Sequence, residues 1–396
     1  MPLSKFQGGI LGVGFNPLQA PNAPTIGTAT AGGNNCASVT FTAPANVGGS
    51  AITGYTARSN PDGFAGAAAG SPITVSGLTT STSYTFGVFA LNSYGPSPIS
   101  AFSNSITAVL DGTFAIFALG CGGCSTRNKY TYSSCAVSAG GAATAASRRQ
   151  SAAGNGTVGI FALGQVGGSR STTRDKYTYV GCVVSAGGAA TAASQYGSAA
   201  GNSTVGIFAL GCTGSGSATR NKYTYSGCVV SAGSAATSPG RSGSATGNST
   251  VGIFALSFIN CSTTVATRDK YTYSGDVVSA GGAATTASSS GSAAGNSTVG
   301  IFALGITSGL VTTRDKYTYS GCVVSAGGAA TVASFAGSAA GNSTVGIFAL
   351  GEGSSANITT RNKYTYSSCA VSAGGAATAA SSAGSAASNG IAGVTL

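Results

Sequence analysis

The stretch Thr173-Arg174-Asp175-Lys176-Tyr177-Thr178-Tyr179 occurs in six near-identical copies along the C-terminal part of this chain of 396 residues, with Asn in place of Asp in half of them. Neighbouring copies are separated by 46 to 48 residues, counted between their arginines: Arg127, Arg174, Arg220, Arg268, Arg314 and Arg361. Self-similarity at a fixed period indicates one supersecondary unit that is used many times. The fold of residues 109–396 is therefore predicted from the repeat.

Each repeat contains four short segments that are predicted to be strands. An apolar segment such as residues 159–164 (GIFALG) precedes a variable loop, the Arg/Lys/Tyr segment, a Cys-Val-Val-Ser-Ala-Gly segment and a small-residue stretch that ends in Gly-Asn-Ser-Thr. Alternation places Asp and Tyr of the Arg/Lys/Tyr segment on one face and Arg and Lys on the other. Four-stranded units arranged radially form a β-propeller, so six blades are predicted; a β-solenoid of stacked coils is the alternative.

The order of these segments resembles the kelch type of propeller blade. In that family a small-residue turn with Asn leads into an aromatic strand that ends in Gly, followed by a variable loop and a strand that ends in Tyr. The repeat has this order from Asn155 through Gly164 to Tyr177 and Tyr179, but it lacks the Gly-Gly pair and the later Trp of kelch blades. The resemblance implies a six-bladed kelch-like propeller over residues 109–396.

The two ends of the repeat region complement each other. Residues 385–389 (SAASN) match the small-residue stretch that precedes the apolar segment in the other repeats, and the first repeat lacks such a stretch. In a ring, residues 385–389 would pair beside residues 114–117 and leave no long sheet edge exposed. A degraded copy of the apolar segment at residues 391–396 then remains, either to cap an edge or to pair with another protein.

The region before the repeats has a different composition. Residues 1–20 are rich in glycine, contain prolines at positions 2 and 17, and cannot build a core, which predicts an extended arm. Such an arm is either a tail or a peptide that anchors the chain to another subunit. Within residues 21–108, the segments 39–44, 52–57 and 84–90 alternate between apolar and polar residues and predict an all-β sandwich.

Residues 21–108 resemble a fibronectin type III domain. The entry at Pro24, the run SAITGY at residues 50–55, and Gly77-Leu78 followed by Tyr84 carry the resemblance. It implies that Tyr84 is the tyrosine corner of the sandwich, with its hydroxyl bonded to the backbone a few residues upstream. Domains of this family serve mostly as spacers and adhesive units, so the resemblance predicts a fold and no chemistry.

The basic charge of the chain is periodic. The net charge is +11 at pH 7 although only 6% of the residues are charged, and most of the basic residues belong to the Arg-x-Lys pair of the repeat. No Lys/Arg run is present that would indicate nucleic-acid binding. We interpret the six repeated arginines as structural residues that hydrogen-bond backbone carbonyls between neighbouring repeats; the alternative is a ring that binds anionic sugars or a partner surface.

Residues for catalysis or metal binding are scarce in this sequence. Histidine is absent, and half of the repeats replace the repeated Asp by Asn, which leaves no distinguished pair of carboxylates. The pair Cys121 and Cys124 has no second pair to complete a zinc site. We expect the cysteines of the chain to be free thiols that act as small packing residues. Five of them recur after the second Tyr of the repeat: Cys135, Cys182, Cys228, Cys322 and Cys369. We expect no catalytic residue, no metal and no cofactor.

Two further absences bear on localisation. The N-terminus lacks the continuous apolar region of a secretory signal, and no apolar run is long enough to span a membrane. A glycine-rich anchoring arm (1–20), a fibronectin type III-like sandwich (21–108) and a propeller (109–396) without an export signal resemble virion structural proteins of tailed bacteriophages. The resemblance implies a tail fibre, a tail appendage or a capsid decoration that is present in many copies and contacts other virion proteins through residues 1–20.

The predicted activity is attachment without catalysis, to host-surface glycans or to other virion proteins. Loops on a rigid scaffold usually carry binding specificity, so we select contact candidates from the loops that vary between repeats. They are Gln165, Arg170, Phe258, Asn260, Ile306 and Leu310. The alternatives are a bacterial cell-surface or secreted lectin-like propeller and a decoration that has no ligand.

Overall fold

The computed structural model describes residues 18–33, 36–79, 82–108, 113–120, 124–179, 182–259 and 263–389. All regular elements in these residues are β-strands, so they contain no helix that could cross a membrane. The chain divides into two compact units, Met1–Leu110 and Asp111–Leu396. Most of the predicted arm (1–20) and the predicted C-terminal copy at 391–396 lie outside the described residues.

The first unit contains eight strands: β1 (Thr25–Gly33), β2 (Cys36–Thr42), β3 (Gly54–Asn60), β4 (Ala65–Ala68), β5 (Ile73–Val75), β6 (Ser83–Asn92), β7 (Gly95–Pro96) and β8 (Ile106–Thr107). One antiparallel sheet has the order β1-β2-β5, and the other has the order β4-β3-β6-β7 with β8 paired to β6. Alternate side chains from both sheets form a single core, in which Val39, Val75 and Phe86 are inaccessible to solvent. This is the two-layer arrangement expected of a sandwich.

Tyr84, at the start of β6, is buried in this core. Its hydroxyl accepts a hydrogen bond from the backbone N–H of Thr79 at 3.1 Å, and it donates one to Oδ2 of Asp62 at 2.9 Å. The first contact is the upstream backbone bond that the tyrosine-corner resemblance implied, and Asp62 is an additional partner. Because a buried phenol needs a hydrogen-bond partner, these contacts favour the observed position of the ring.

The second unit consists of six four-stranded antiparallel sheets, which we name sheets 1 to 6; the strands of each are given from first to fourth. Sheet 1 contains Ser385–Ser388, Phe114–Ala118, Arg127–Thr131 and Val137–Ala139. Sheet 2 contains Ser151–Gly154, Val158–Ala162, Arg174–Thr178 and Val183–Ala186. Sheet 3 contains Ser198–Gly201, Val205–Ala209, Arg220–Thr224 and Val229–Gly233. Sheet 4 contains Ala245–Gly247, Val251–Ala255, Arg268–Thr272 and Val277–Ala280. Sheet 5 contains Ser292–Gly295, Val299–Ala303, Arg314–Thr318 and Val323–Ala326. Sheet 6 contains Ser338–Gly341, Val345–Ala349, Arg361–Thr365 and Ala370–Ala373.

Two short sheets lie in the connections of this unit. One contains Ser147–Arg148, Gln165–Val166 and Ser169–Arg170. The other contains Gly240–Arg241, Phe258–Ile259 and Thr263–Thr264. Both place part of a variable loop beside the residues that precede a first strand.

The apolar second strands are buried on both faces because each sheet packs between two others. In sheet 2, Ile160 and Phe161 are inaccessible; Ile160 packs in a cluster with residues of sheet 3, and Phe161 packs in a cluster with residues of sheet 1. The fourth strands are the outer edges of the sheets, and Val183 at the start of one of them is 56% exposed. Burial therefore decreases from the second strand to the fourth.

The C-terminal strand completes sheet 1, as the sequence predicts. Ser385–Ser388 pairs antiparallel with Phe114–Ala118, so that Ala386 lies opposite Phe117. Ser385–Ser388 also contacts the first strands of sheets 2 and 6, and each remaining first strand contacts those of its two neighbours. The six first strands thus form a closed cycle of contacts.

A second closed cycle consists of backbone hydrogen bonds between the residues that lie two positions before each first strand, or three before that of sheet 4. Each of these residues donates its N–H to the carbonyl oxygen of its counterpart in the preceding sheet, at 2.7 to 3.1 Å. The six residues are Arg149, Tyr196, Ser242, Ser290, Ala336 and Ala383. All have positive φ between 50° and 59°, a strained conformation for residues other than glycine. The cycle satisfies six N–H groups and six carbonyl groups where the sheets converge.

Candidate functional site

Each repeated arginine lies between its own sheet and the next one. The side chain is almost completely buried, and its Nη2 donates a hydrogen bond to the Asp or Asn that follows the arginine of the next repeat. The distances are 2.7 Å to the aspartates and 3.0 to 3.1 Å to the asparagines. The pairs are Arg127–Asp175, Arg174–Asn221, Arg220–Asp269, Arg268–Asp315, Arg314–Asn362 and Arg361–Asn128. The predicted alternation is present, because Asp175 faces sheet 1 and Arg174 faces sheet 3.

A threonine from the preceding repeat holds each acceptor in place. Asp175 accepts hydrogen bonds from the backbone N–H of Thr144 at 3.0 Å and from its hydroxyl. At the corresponding asparagine, Asn221, the Nδ2 group donates to Oγ1 of Thr191 at 2.7 Å. Because a hydroxyl can either donate or accept, the same threonine position serves both acceptor types.

Each guanidinium also lies over a phenylalanine ring from the second strand of the next sheet. The distance from Cζ to the ring centroid is 4.5 to 4.7 Å, within the range of cation–π attraction. The rings are those of Phe161, Phe208, Phe254, Phe302, Phe348 and Phe117. The six arginines are therefore enclosed between sheets and do not form an exposed ring for anionic sugars. The acceptor of Nη2 in the next repeat is a side chain, and not the backbone carbonyl that the sequence predicts.

Burial lowers the pKa of all six guanidinium groups. Where the acceptor is an asparagine, desolvation lowers the pKa of Arg174, Arg314 and Arg361 to about 10. Where it is an aspartate, desolvation again lowers the pKa, as at Arg127, but the hydrogen bond and charge of Asp175 oppose the effect. Arg174, Arg314 and Arg361 therefore remain charged at neutral pH, with a neutral amide in the position of a carboxylate.

The recurrent cysteines lie at the turn between the third and fourth strands, with φ of 54° to 56°, and are free thiols as predicted. Asp276 occupies this position in sheet 4. Its carboxylate accepts hydrogen bonds from the hydroxyl of Tyr271 at 2.8 Å and from Nζ of Lys222, in the neighbouring sheet, at 3.0 Å. In sheet 6, Sγ of Cys369 lies 3.7 Å from Nζ of Lys316. A thiol and a carboxylate thus occupy equivalent positions beside the repeated lysine.

A cavity of about 570 Å³ lies where the six sheets converge. All six residues of the backbone hydrogen-bond cycle line it, and its volume is within the range of pockets that hold small molecules. Its remaining walls carry charged and aromatic side chains, among them Arg148, Arg241, Phe258, Phe335 and Glu352. Polar groups and rings in one concave site are the usual composition of a ligand pocket.

The repeats differ in chemistry at this cavity. A variable dipeptide in each repeat contributes at least one residue to the lining, whereas the Ser-Ala pair that follows is the same in all six copies. The dipeptides are Arg148-Arg149, Gln195-Tyr196, Arg241-Ser242, Ser289-Ser290, Phe335-Ala336 and Ser382-Ala383. Sequence reasoning missed this site because the dipeptides lie within a stretch of small residues. The signal that could have found it was two changing positions beside a constant pair.

Two of the predicted contact residues line this cavity, Phe258 and Ile306. Three others are not among its lining residues: Gln165, Arg170 and Leu310. Asn260 lies outside the described residues. Gln165 nevertheless supports the wall, because its Oε1 accepts a hydrogen bond at 2.7 Å from Nε of Arg148.

The described residues contain no group of three or more His, Cys, Asp or Glu side chains that could hold a metal ion. Cys124, of the CxxC pair, is disulfide-bonded, so the expectation of free thiols is wrong at this position.

The side chains of the cavity wall can recognise a ligand through arginine, hydroxyl, amide and aromatic groups.

Comparisons with known proteins bear on the first unit. Residues 22–106 match the model of the fibronectin type III domain, so the chain carries such a domain at its N-terminal end. A crystal structure of domains A168–A170 of titin is similar at 28% sequence identity and a TM-score of 0.21, over 22% of this chain. The chain spans 32% of the length of that titin fragment. No curated protein matches the chain.

Proposed function

We propose that residues 111–396 form a six-bladed, kelch-like β-propeller and that the chain is a bacteriophage virion structural protein, as a tail fibre, tail appendage or capsid decoration. The propeller attaches the particle to host-surface glycans or to other virion proteins and catalyses no reaction. The observation that carries this proposal is the cavity, at which near-identical repeats present different side chains. Repeats that present different side chains at one concave site are expected when the scaffold is held constant and the contact surface varies.

The two cycles described above support the propeller topology. First strands that contact one another in a closed order, and a C-terminal strand that completes sheet 1, are expected of a ring and not of a linear stack. A solenoid would leave the arginine of the last repeat without a partner from the first. Arg361 instead contacts Asn128.

The attachment mechanism relies on many copies. One cavity per chain gives a weak contact, but many chains on one particle that engage repeated sugars give a much stronger overall interaction. Residues 1–20 would hold the chain to another virion protein. The fibronectin type III domain fits this function as a spacer, which is its common use.

The test has two parts. The full chain, coupled in many copies to beads, is incubated with bacterial cells and with purified surface polysaccharides, and we expect retention that far exceeds that of the uncoupled chain. Purified phage particles from the strain that encodes the chain are then analysed by mass spectrometry, and we expect the chain among the particle proteins. Absence from particles, together with no retention on any surface, would contradict the proposal.

The alternative is a bacterial cell-surface or secreted lectin-like propeller, which the same cavity would also support. The distinguishing measurement is fractionation of an uninfected culture. A lectin of the bacterium would be found in the envelope or the medium, whereas a virion protein would be found only in phage particles.

A further inference from the structure

We propose that the cavity binds a carboxylate-bearing sugar, a hexuronic acid, within a surface polysaccharide. This inference rests on the proposed attachment function and names the class of its ligand. The arginines at the variable dipeptides bind the carboxylate, and the aromatic rings of the wall pack against the face of the sugar.

The positive charge of the wall is the first argument. Three arginines and a single carboxylate line the cavity: Arg148, Arg149, Arg241 and Glu352. Among the described residues, none of these arginines forms an ion pair. Among the described residues, Arg148 donates a side-chain hydrogen bond only from Nε, to Oε1 of Gln165, and Arg149 donates one only from Nη1, to Oε1 of Gln195 at 3.3 Å. Guanidinium donors therefore remain available, and their fork geometry matches a carboxylate.

The contrast with the buried arginines strengthens this argument. Every repeated arginine between the sheets has an Asp or Asn acceptor in the next repeat, so this chain supplies acceptors where arginine has a structural role. Arg241 has no described side-chain hydrogen bond; its guanidinium lies 5.4 Å from the ring centroid of Phe258. Arg241 thus has no acceptor among the described residues, and Arg148 and Arg149 each have one glutamine acceptor, which leaves their other donors for an external anion.

The aromatic side chains are the second argument, because they favour a sugar over inorganic phosphate. Tyr196, Phe258 and Phe335 line the cavity and are partly exposed. Arg149 lies over the ring of Tyr196, with Cζ 4.4 Å from the centroid, so a ring and a cation are presented together. A uronic acid has an apolar C–H face, a carboxylate and hydroxyl groups, which fit rings, arginines and serines such as Ser290 respectively.

The hydrogen-bond cycle argues against an extended acidic peptide. Peptides that bind as strands need free N–H and C=O groups at a sheet edge. The backbone groups of the cycle that lines the cavity, from Arg149 to Ala383, are already bonded to one another. Recognition here therefore depends on side chains.

The experiment measures affinity of the full chain for trisaccharides of galacturonic, glucuronic and mannuronic acid and for their carboxyl-reduced counterparts, by titration calorimetry. The variants are Arg149→Gln and Arg241→Gln, and the matched control is Arg58→Gln, an exposed arginine of the first unit that does not line the cavity. We expect at least one oligouronate to bind about tenfold or more tightly than its reduced form. Each cavity variant should lose about tenfold in affinity, and the control should stay within about twofold of the parent chain.

Several results would overturn the inference. They are equal binding of acidic and reduced trisaccharides, equal losses in the cavity variants and the control, and preference for inorganic phosphate or an acidic peptide in competition. Thermal unfolding of each variant shows whether it folds. If Arg149→Gln does not fold, Arg241→Gln still tests the site, because Arg241 makes no side-chain hydrogen bond with the described residues. If coated beads still attach to cells while no uronate binds, the ligand class is wrong and the attachment function stands. If nothing attaches, the attachment function itself is wrong.

Discussion

Arg361 donates a hydrogen bond from Nη2 to Oδ1 of Asn128, a residue 233 positions earlier in the chain, at 3.1 Å. The equivalent hydrogen bond joins each of the remaining pairs of neighbouring sheets, and there the two bonded residues are 47 to 49 positions apart in the chain. The last repeat therefore contacts the first repeat in the same way that each other repeat contacts the one that follows it. Closure is a chemical property of the repeat and not only of the terminal strand.

Removal of the C-terminal strand should destabilise the second unit. A chain that ends at Gly384 lacks Ser385–Ser388 and leaves the edge of Phe114–Ala118 unpaired, with apolar surface exposed. We expect a lower Tm and concentration-dependent association, measured by calorimetry and analytical ultracentrifugation. The comparison chain ends at Asn389 and keeps the strand. An equal Tm for the two chains would mean that Ser385–Ser388 does not close sheet 1.

Asp175→Ala should cost about 3–5 kcal/mol in free energy of unfolding, because it leaves the buried guanidinium of Arg127 without its counterion. The control is Asp276→Cys, which breaks the partly exposed pair with Lys222 and restores the residue of the other repeats. We expect a cost of about 1 kcal/mol or less for the control. Chemical denaturation of both variants measures the difference, and similar costs would contradict the role of the buried pair.

Asn221→Asp should stabilise the chain, because it gives Arg174 the carboxylate that Arg127 already has. Thr191 can switch from accepting to donating a hydrogen bond, as Thr144 does at Asp175. The present hydrogen bond has a charged donor and a neutral acceptor, and a carboxylate would give the buried guanidinium a counterion, so the free energy of unfolding should rise by about 1 kcal/mol. Asn362→Asp should have the same effect through Arg314. A lower Tm in both variants would show that a carboxylate does not fit these sites.

The second unit should unfold at alkaline pH. Burial raises the pKa of these tyrosines above its ordinary value of 10: Tyr130, Tyr177, Tyr179, Tyr223, Tyr225, Tyr271, Tyr273, Tyr317, Tyr319, Tyr364 and Tyr366. Above pH 10 the unfolded chain binds fewer protons than the folded one, so stability falls as pH rises. The six repeated arginines, whose pKa is lowered by burial, act in the opposite direction but are fewer.

The measurement follows tyrosinate absorbance and circular dichroism together during an alkaline titration. We expect the phenolates of the repeat to appear in one cooperative step, at the pH at which strand structure is lost. Tyrosinate that forms gradually near pH 10 while the strand signal is unchanged would show that these hydroxyls are not held in the interior.

The strands and the closure of sheet 1 could be predicted because both depend on local pattern. The alternation in Arg174–Thr178 determines which side chains lie on each face of the strand, and the sequence of residues 385–388 is similar to that of the other first strands. The partner of each arginine could not be predicted, because Arg127 meets Asp175 only after two sheets stack in a particular register. Sequence period alone does not give that register.

The candidate site was predicted less well than the fold. Loop variability indicated Phe258 and Ile306, which line the cavity, and also Gln165, Arg170 and Leu310, which do not. The dipeptides such as Arg148-Arg149 could not be predicted as site residues, because they are far apart in sequence and come together only when the six sheets assemble. Convergence of this kind is visible only in three dimensions.

In each repeat of this chain, the arginine donates a hydrogen bond to the following repeat, and the Asp or Asn accepts one from the preceding repeat. Duplication or loss of one whole repeat would therefore leave every arginine donor with an acceptor. Unmatched hydrogen-bonding groups at a junction then place no limit on the number of sheets, which depends on the curvature that neighbouring sheets can tolerate. Each such change would also add or remove one sector of the cavity wall, while the contacts between the remaining sheets are kept.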